Sequence, residues 1–138
     1  MAVTTDCGDS VAIHPPLKQP VGNRLYLAAR ALAYKEKIEY SGPLYKSFKV
    51  KENTIELTFD HIGKGLMSKD GGLTGFTIAG DDKKFVPATA VIKGNKVIVS
   101  STDVATPIAA RYGFSSLPNV NFYNREGLPA SPFRTDVE

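Results

Sequence analysis

A single cysteine, Cys7, stands in this chain of 138 residues, so no intrachain disulfide can brace the fold. Histidine is almost as scarce. His14 and His61 are the only two, and such a pair falls short of the three or four ligands that a zinc site needs. No apolar run is long enough to span a membrane. There is no basic block either: the net charge is +3 and the lysines are scattered, which argues against nucleic acid as a partner. The opening Met1-Ala2-Val3-Thr4-Thr5-Asp6 lacks the basic head and apolar core of a signal peptide. The signal of an exported protein would lie outside this sequence, and the compartment is left open. Repeats and low-complexity tracts are absent.

What remains is the composition of a globular chain, with 42% hydrophobic and 22% charged residues. The length suits one ordinary core, or one domain with a fragment of another. Residues 1–18 form a polar entry containing Gly and Pro. The spacing predicts a helix over 19–36: Pro20 suits its first turn, and Val21, Leu25, Ala28 and Leu32 line one apolar face. Arg24 and Arg30 fall mostly off that face. A helix of this length needs a partner surface, and we expect its apolar face to fold back in part on the β domain, since it would otherwise invite association.

Beyond Tyr40-Ser41-Gly42-Pro43 the period changes from helical to alternating. Strands are predicted at Tyr45–Val50, Ile55–Phe59, Phe76–Ala79, Val86–Lys93, Lys96–Ser100, Ala109–Tyr112 and Val120–Tyr123, with an extended tail from Gly127. Gly94-Asn95 between two of them is a hairpin signal, because both residues tolerate positive φ. The fold expected is therefore mainly β. A loop and one helix (1–36) precede a small antiparallel β-sandwich-like domain (41–138).

The chemistry concentrates in Asp6-Cys7-Gly8-Asp9-Ser10-Val11-Ala12-Ile13-His14-Pro15-Pro16. His14 precedes two prolines, which bias it toward extended backbone just ahead of the helix. A stiffly held imidazole with a carboxylate nearby is what a general base requires. The nearest carboxylate is Asp9, whose alternative role is an ordinary turn residue. Gly8-Asp9-Ser10 spells a serine-hydrolase signature, yet only Val3 precedes it where an apolar strand should stand. Ser10 and His14 also share one loop, whereas a nucleophile and its base normally come from different elements. Turn chemistry is the reading preferred for Ser10.

Taken together, Asp6-x-Gly8-Asp9, Ile13-His14-Pro15, Lys18-Gln19-x-Val21-Gly22-x-Arg24-Leu25 and Ala28-Ala29-Arg30-x-Leu32-Ala33-Tyr34 resemble the C-terminal part of sialate O-acetylesterases. These are carbohydrate esterases of the SGNH-hydrolase class. Gly75-Phe76-x-Ile78-Ala79-Gly80-x-Asp82, Ala109-x-Arg111-Tyr112 and Asn121-x-Tyr123-Asn124-x-x-Gly127-Leu128-Pro129-Ala130-Ser131-Pro132-Phe133 carry the resemblance nearly to the end. It implies a serine esterase that removes acetyl groups from sialic acid, without metal or organic cofactor, secreted or periplasmic. His14 matches the family's catalytic histidine. The family's serine and oxyanion donors would lie in a missing N-terminal hydrolase segment, so the chain alone should be inactive. Many SGNH enzymes place an Asp three residues before the histidine. Val11 stands there in this sequence, which leaves Asp9 as the carboxylate to consider.

Four other features have bland readings beside functional ones. His61 after Asp60 reads as a loop histidine. Tyr112, Phe122, Tyr123 and Phe133 could stack on sugar, but aromatics in a small β domain more often fill its core. Arg111 could receive a sugar carboxylate, and an ordinary ion pair is the alternative. Cys7 reads as inert. A rival to the esterase reading is a non-catalytic carbohydrate-binding or structural β module.

Overall fold

The computed structural model describes residues 1–9, 11, 14 and 17–136. Helix α1 (Lys18–Leu32) comes first. The strands follow: β1 (Leu44–Lys51), β2 (Thr54–Asp60), β3 (Leu66–Ser68), β4 (Phe76–Ala79), β5 (Val86–Pro87), β6 (Thr89–Lys93), β7 (Lys96–Ser100), β8 (Ala109–Tyr112), β9 (Phe122–Asn124) and β10 (Phe133–Arg134). They build two four-stranded antiparallel sheets, ordered β1-β2-β7-β6 and β10-β8-β4-β5, and a separate β3-β9 pair.

Alternation explains where the core lies. Ile55 and Leu57 on β2, and their cross-strand partners Val99 and Val97 on β7, are fully buried. They share one hydrophobic cluster with Phe76 and Ile78 of β4 and with Ala110 and Tyr112 of β8. Phe122 and Phe133 complete it. The Phe122 ring lies edge-on to Phe59 at 5.1 Å and to Tyr112 at 5.8 Å, and Phe133 stacks on Tyr45 at 4.9 Å. These offset and edge-on contacts suit aromatic quadrupoles. The four aromatics considered as a sugar platform are thus buried. The mainly β, sandwich-like expectation holds.

Several local expectations change. The run 86–93 is two strands rather than one. β5 pairs with β4 in one sheet and β6 with β7 in the other, and the chain crosses at Ala88, whose N–H donates to the Phe76 carbonyl. A short apolar run does not say which neighbour it will join. β3 carried no signal, and β9 starts two residues later than expected. Glu56, between the inward Ile55 and Leu57, is 8% exposed; Lys96 and Lys51 hold its carboxylate at 2.7 and 3.0 Å.

The helix departs most. It ends at Leu32, four residues early, where the Glu36 N–H reaches back to the Arg30 carbonyl. Lys35 takes the left-handed conformation (φ 60°) that glycine usually fills at such an end. The expected apolar face is mostly uncovered, with Leu25 55% and Leu32 50% exposed. The residues that α1 buries are Arg24 and Ala28. The expected folding of the apolar face onto the β domain is thus not what holds this helix: Leu25 and Leu32 stay open, and Arg24, placed off that face, ties it to the entry segment.

Candidate functional site

Arg24 is buried because it has a carboxylate to meet. Its guanidinium makes a two-pronged bond to Asp6, Nη1 to Oδ1 at 2.6 Å and Nη2 to Oδ2 at 2.7 Å. Nη1 also donates to the Val3 carbonyl at 2.8 Å. From the far end of the chain, the Tyr123 hydroxyl on β9 donates to Asp6 Oδ2 at 3.0 Å. Asp6 thus joins the entry segment, α1 and the β3-β9 pair. Bidentate guanidinium–carboxylate geometry is the strong form of such a contact.

The electrostatics agree. Burial by itself would raise the Asp6 pKa, but the Arg24 and Tyr123 contacts outweigh it and hold the carboxyl below its ordinary value. Hydrogen bonding to Asp6 raises Arg24. Burial, then the bond to Asp6, pushes the Tyr123 phenol well up, so it remains a neutral donor. Cys7 sits against this clamp, 2% exposed, with its Sγ 3.4 Å from Arg24 Nη1. Burial raises its thiol, which keeps it protonated and unreactive.

The clamp lies at the base of the loop that carries His14. Asp6 fixes the entry to that loop, and α1 begins just after it. His14 is exposed. Asp9 Oδ1 accepts the Val11 N–H at 2.7 Å, the short-range bond that Asp makes in turns. Ser10 lies outside the described residues.

The remaining candidates go elsewhere. His61, at φ 55°, bonds through Nδ1 to Glu39 Oε1 at 2.7 Å and meets the Tyr40 ring edge-on. That is the loop histidine expected. Among the described residues no group of three or more His, Cys, Asp or Glu side chains could hold a metal. Nor is any helix long and apolar enough to cross a membrane. Arg111 pairs with Asp136 through two bonds, at 3.0 and 2.6 Å, between the rings of Phe85 and Phe114 at 3.7 and 4.7 Å. It is an ordinary ion pair at the edge of a cleft of about 520 Å³.

Sequence reasoning missed the clamp. Arg24 and Asp6 were both noticed, but a charge at the margin of a helix face normally reads as solvated. The available signal was a basic residue predicted to lie beside a helix face that needed cover, with an acidic residue upstream.

No family model matches the chain. Relatives do. It is 30% identical over 152 residues to the sialate O-acetylesterase of Rattus norvegicus, covering 99% of this chain. It is also 30% identical over 148 residues to that of Homo sapiens, covering 96%. A solved structure, described as a novel carbohydrate acetylesterase from Xanthomonas citri, superposes with a TM-score of 0.95 at 47% identity over 99% of this chain. The chain matches the C-terminal part of the sialate O-acetylesterases. It spans 28% of the rat and human proteins and 32% of the Xanthomonas chain. The clamp and the His14 loop therefore occur in a region whose fold the Xanthomonas carbohydrate acetylesterase shares.

Proposed function

We propose that this segment supplies the general base of a carbohydrate acetylesterase and the β scaffold beside it. The observation that supports this is the 47% identity to a carbohydrate acetylesterase at a TM-score of 0.95 over 99% of the chain. His14 takes the proton of a serine hydroxyl as the serine oxygen bonds to the acetyl carbon. It then gives that proton to the departing sugar oxygen; in the second half a water that His14 deprotonates bonds to the acetyl carbon, and the proton passes to the serine oxygen as acetate leaves. Asp9 supports the imidazole from within the loop. The serine and its oxyanion donors come from the part of the relatives that this chain does not span. Residues 1–36 then form the last loop and helix of the hydrolase unit, and residues 41–138 an accessory β domain. The exposed Leu25, Tyr26 and Leu32 are where that unit covers α1. The ester is an acetylated sugar, and acetylated sialic acid is the substrate to try first.

A chimera tests this. The segment replaces its counterpart in the Xanthomonas esterase, and hydrolysis of p-nitrophenyl acetate and of acetylated sialic acid is followed. We expect turnover, with His14→Ala lowering kcat by about 10³-fold or more and Ser10→Ala leaving it near normal. A fully active His14→Ala chimera would remove the base from its role. An equal loss in Ser10→Ala would make Ser10 the nucleophile instead.

A further inference from the structure

β1 is an edge of the first sheet and β10 an edge of the second, and the two edges meet where Tyr45 stacks on Phe133. Beside this contact opens the cleft of about 520 Å³ that Arg111 borders. Phe48 of β1, Phe85 and Ile108 give it an apolar floor, and Ile108 is 41% exposed there. Nothing in the proposed acetyl-transfer chemistry uses this space.

Positive charge gathers at its rim. Among the described residues, Lys83, Arg111 and Arg134 line the cleft against one carboxylate, Asp136. The two bonds from Arg111 hold that carboxyl below its ordinary value, and the charge of Arg134 adds to them. Two guanidiniums thus act on a single carboxylate, and the lysine brings a third positive charge.

These groups are held in place. The Arg111 guanidinium lies 3.7 Å from the centre of the Phe85 ring, a cation–π contact that fixes its plane. Lys83 sits in the left-handed region at φ 56°, closing a turn in which its N–H donates to the Gly80 carbonyl at 3.0 Å. A side chain there is uncommon, and strained positions of this kind cluster at ligand sites.

Rim and floor together select the ligand. A bare inorganic anion would leave the floor wet. An uncharged ring would leave the excess positive charge unanswered. A sugar acid would set its hydroxyls against Phe48, Phe85 and Ile108, where they find no partner. A flat apolar body carrying one carboxylate satisfies both parts. Its ring packs on the two phenylalanines, and its carboxylate takes charge-assisted hydrogen bonds at Lys83 and Arg134. The volume suits a molecule of one or two rings.

We propose that this cleft is a binding site for an aryl carboxylate. It shares no residue with the Asp6 clamp or the His14 loop, so it stands whether or not the acetyl-transfer reading does.

The test is a titration of this chain with 2-naphthoate, followed by ligand fluorescence and by amide NMR. We expect saturable binding with shifts at Phe48, Gly80, Ala109 and Thr135. 2-Naphthalenemethanol, acetate and N-acetylneuraminic acid each lack either the charge or the apolar body, and each should bind more weakly. Lys83→Gly removes one charge and relieves the backbone at the same time, so folding is not at risk. Arg134→Gln removes another from an exposed edge position. Each should weaken 2-naphthoate about fivefold, the loss of one hydrogen bond. Asp136→Asn should act in the opposite direction and tighten binding several-fold, because the guanidiniums lose their competing carboxylate. Absence of saturable shifts would overturn the proposal. So would equal binding by any of the three comparison compounds, shifts confined to the surroundings of Asp6, or unchanged affinity in all three variants.

Discussion

The entry segment with its helix and the β region are held by opposite means. In the β region, alternate residues of two sheets close on a shared cluster in which Ile55, Leu57, Val97, Val99 and Phe122 are fully buried. Its polar side chains are tied in as well. Asn124, wholly buried, donates to the Ser41 and His61 carbonyls and accepts the Leu128 N–H. The helix buries Ala28 and an arginine, and leaves Leu25 and Leu32 half in solvent. Hydrophobic burial is non-directional and adds up over many residues. A buried ion pair is directional and rests on very few. The β region should therefore survive any single polar substitution. The helix hangs on Asp6.

The largest effect should come from opening the β core. Phe122→Ala removes a ring packed against Phe59, Phe76 and Tyr112. It should cost about 3–5 kcal/mol in urea unfolding followed by circular dichroism. A cost below about 1 kcal/mol would show that the cluster collapses around the gap.

Next comes the clamp. Arg24→Ala leaves the Asp6 charge uncompensated and should cost about 3 kcal/mol, felt locally. Amide exchange in α1 should quicken several-fold while β2 and β7 keep their protection. Equal acceleration in both would erase the contrast between the two regions.

Acid should reproduce that loss reversibly. The folded Asp6 carboxyl titrates below its ordinary value of 3.8. Its contribution is therefore complete well above that value. It declines as pH falls, because the unfolded chain takes up the proton first. α1 amides should lose protection toward pH 3 ahead of β7 amides, and Asp6→Asn should abolish this pH dependence. Glu56 and Asp136, also held low by Lys96 and Arg111, add a weaker acid sensitivity to the β region.

The smallest effect sharpens the comparison from the other side. Leu25→Ser on the exposed helix face should change the stability of this chain by less than about 0.5 kcal/mol. In the chimera the same substitution should impair assembly with the hydrolase unit. A large loss in the isolated segment would mean that the face is already in use.

Reading the sequence located most strands because their alternation is a local property. Ile55, Leu57 and Phe59 announce an inward face whatever lies opposite. The Gly94-Asn95 hairpin was equally legible, since Gly94 at φ 60° is a matter of backbone sterics. The sheet crossing at Ala88 was not legible, because it depends on which neighbours β5 and β6 meet. His14 was picked out by its prolines and by resemblance. The clamp beneath its loop could not be, because Asp6 and Tyr123 lie at opposite ends of the chain and nothing local marks them as partners.

The sequence by itself determined a β-rich chain with one helix and an inward aromatic set, all properties of neighbouring residues and their periods. The tertiary structure decided that an arginine, not a leucine, anchors that helix. Charge pairing and cavity shape arise only when distant segments meet, because the desolvation that makes a buried pair matter exists only in the folded chain.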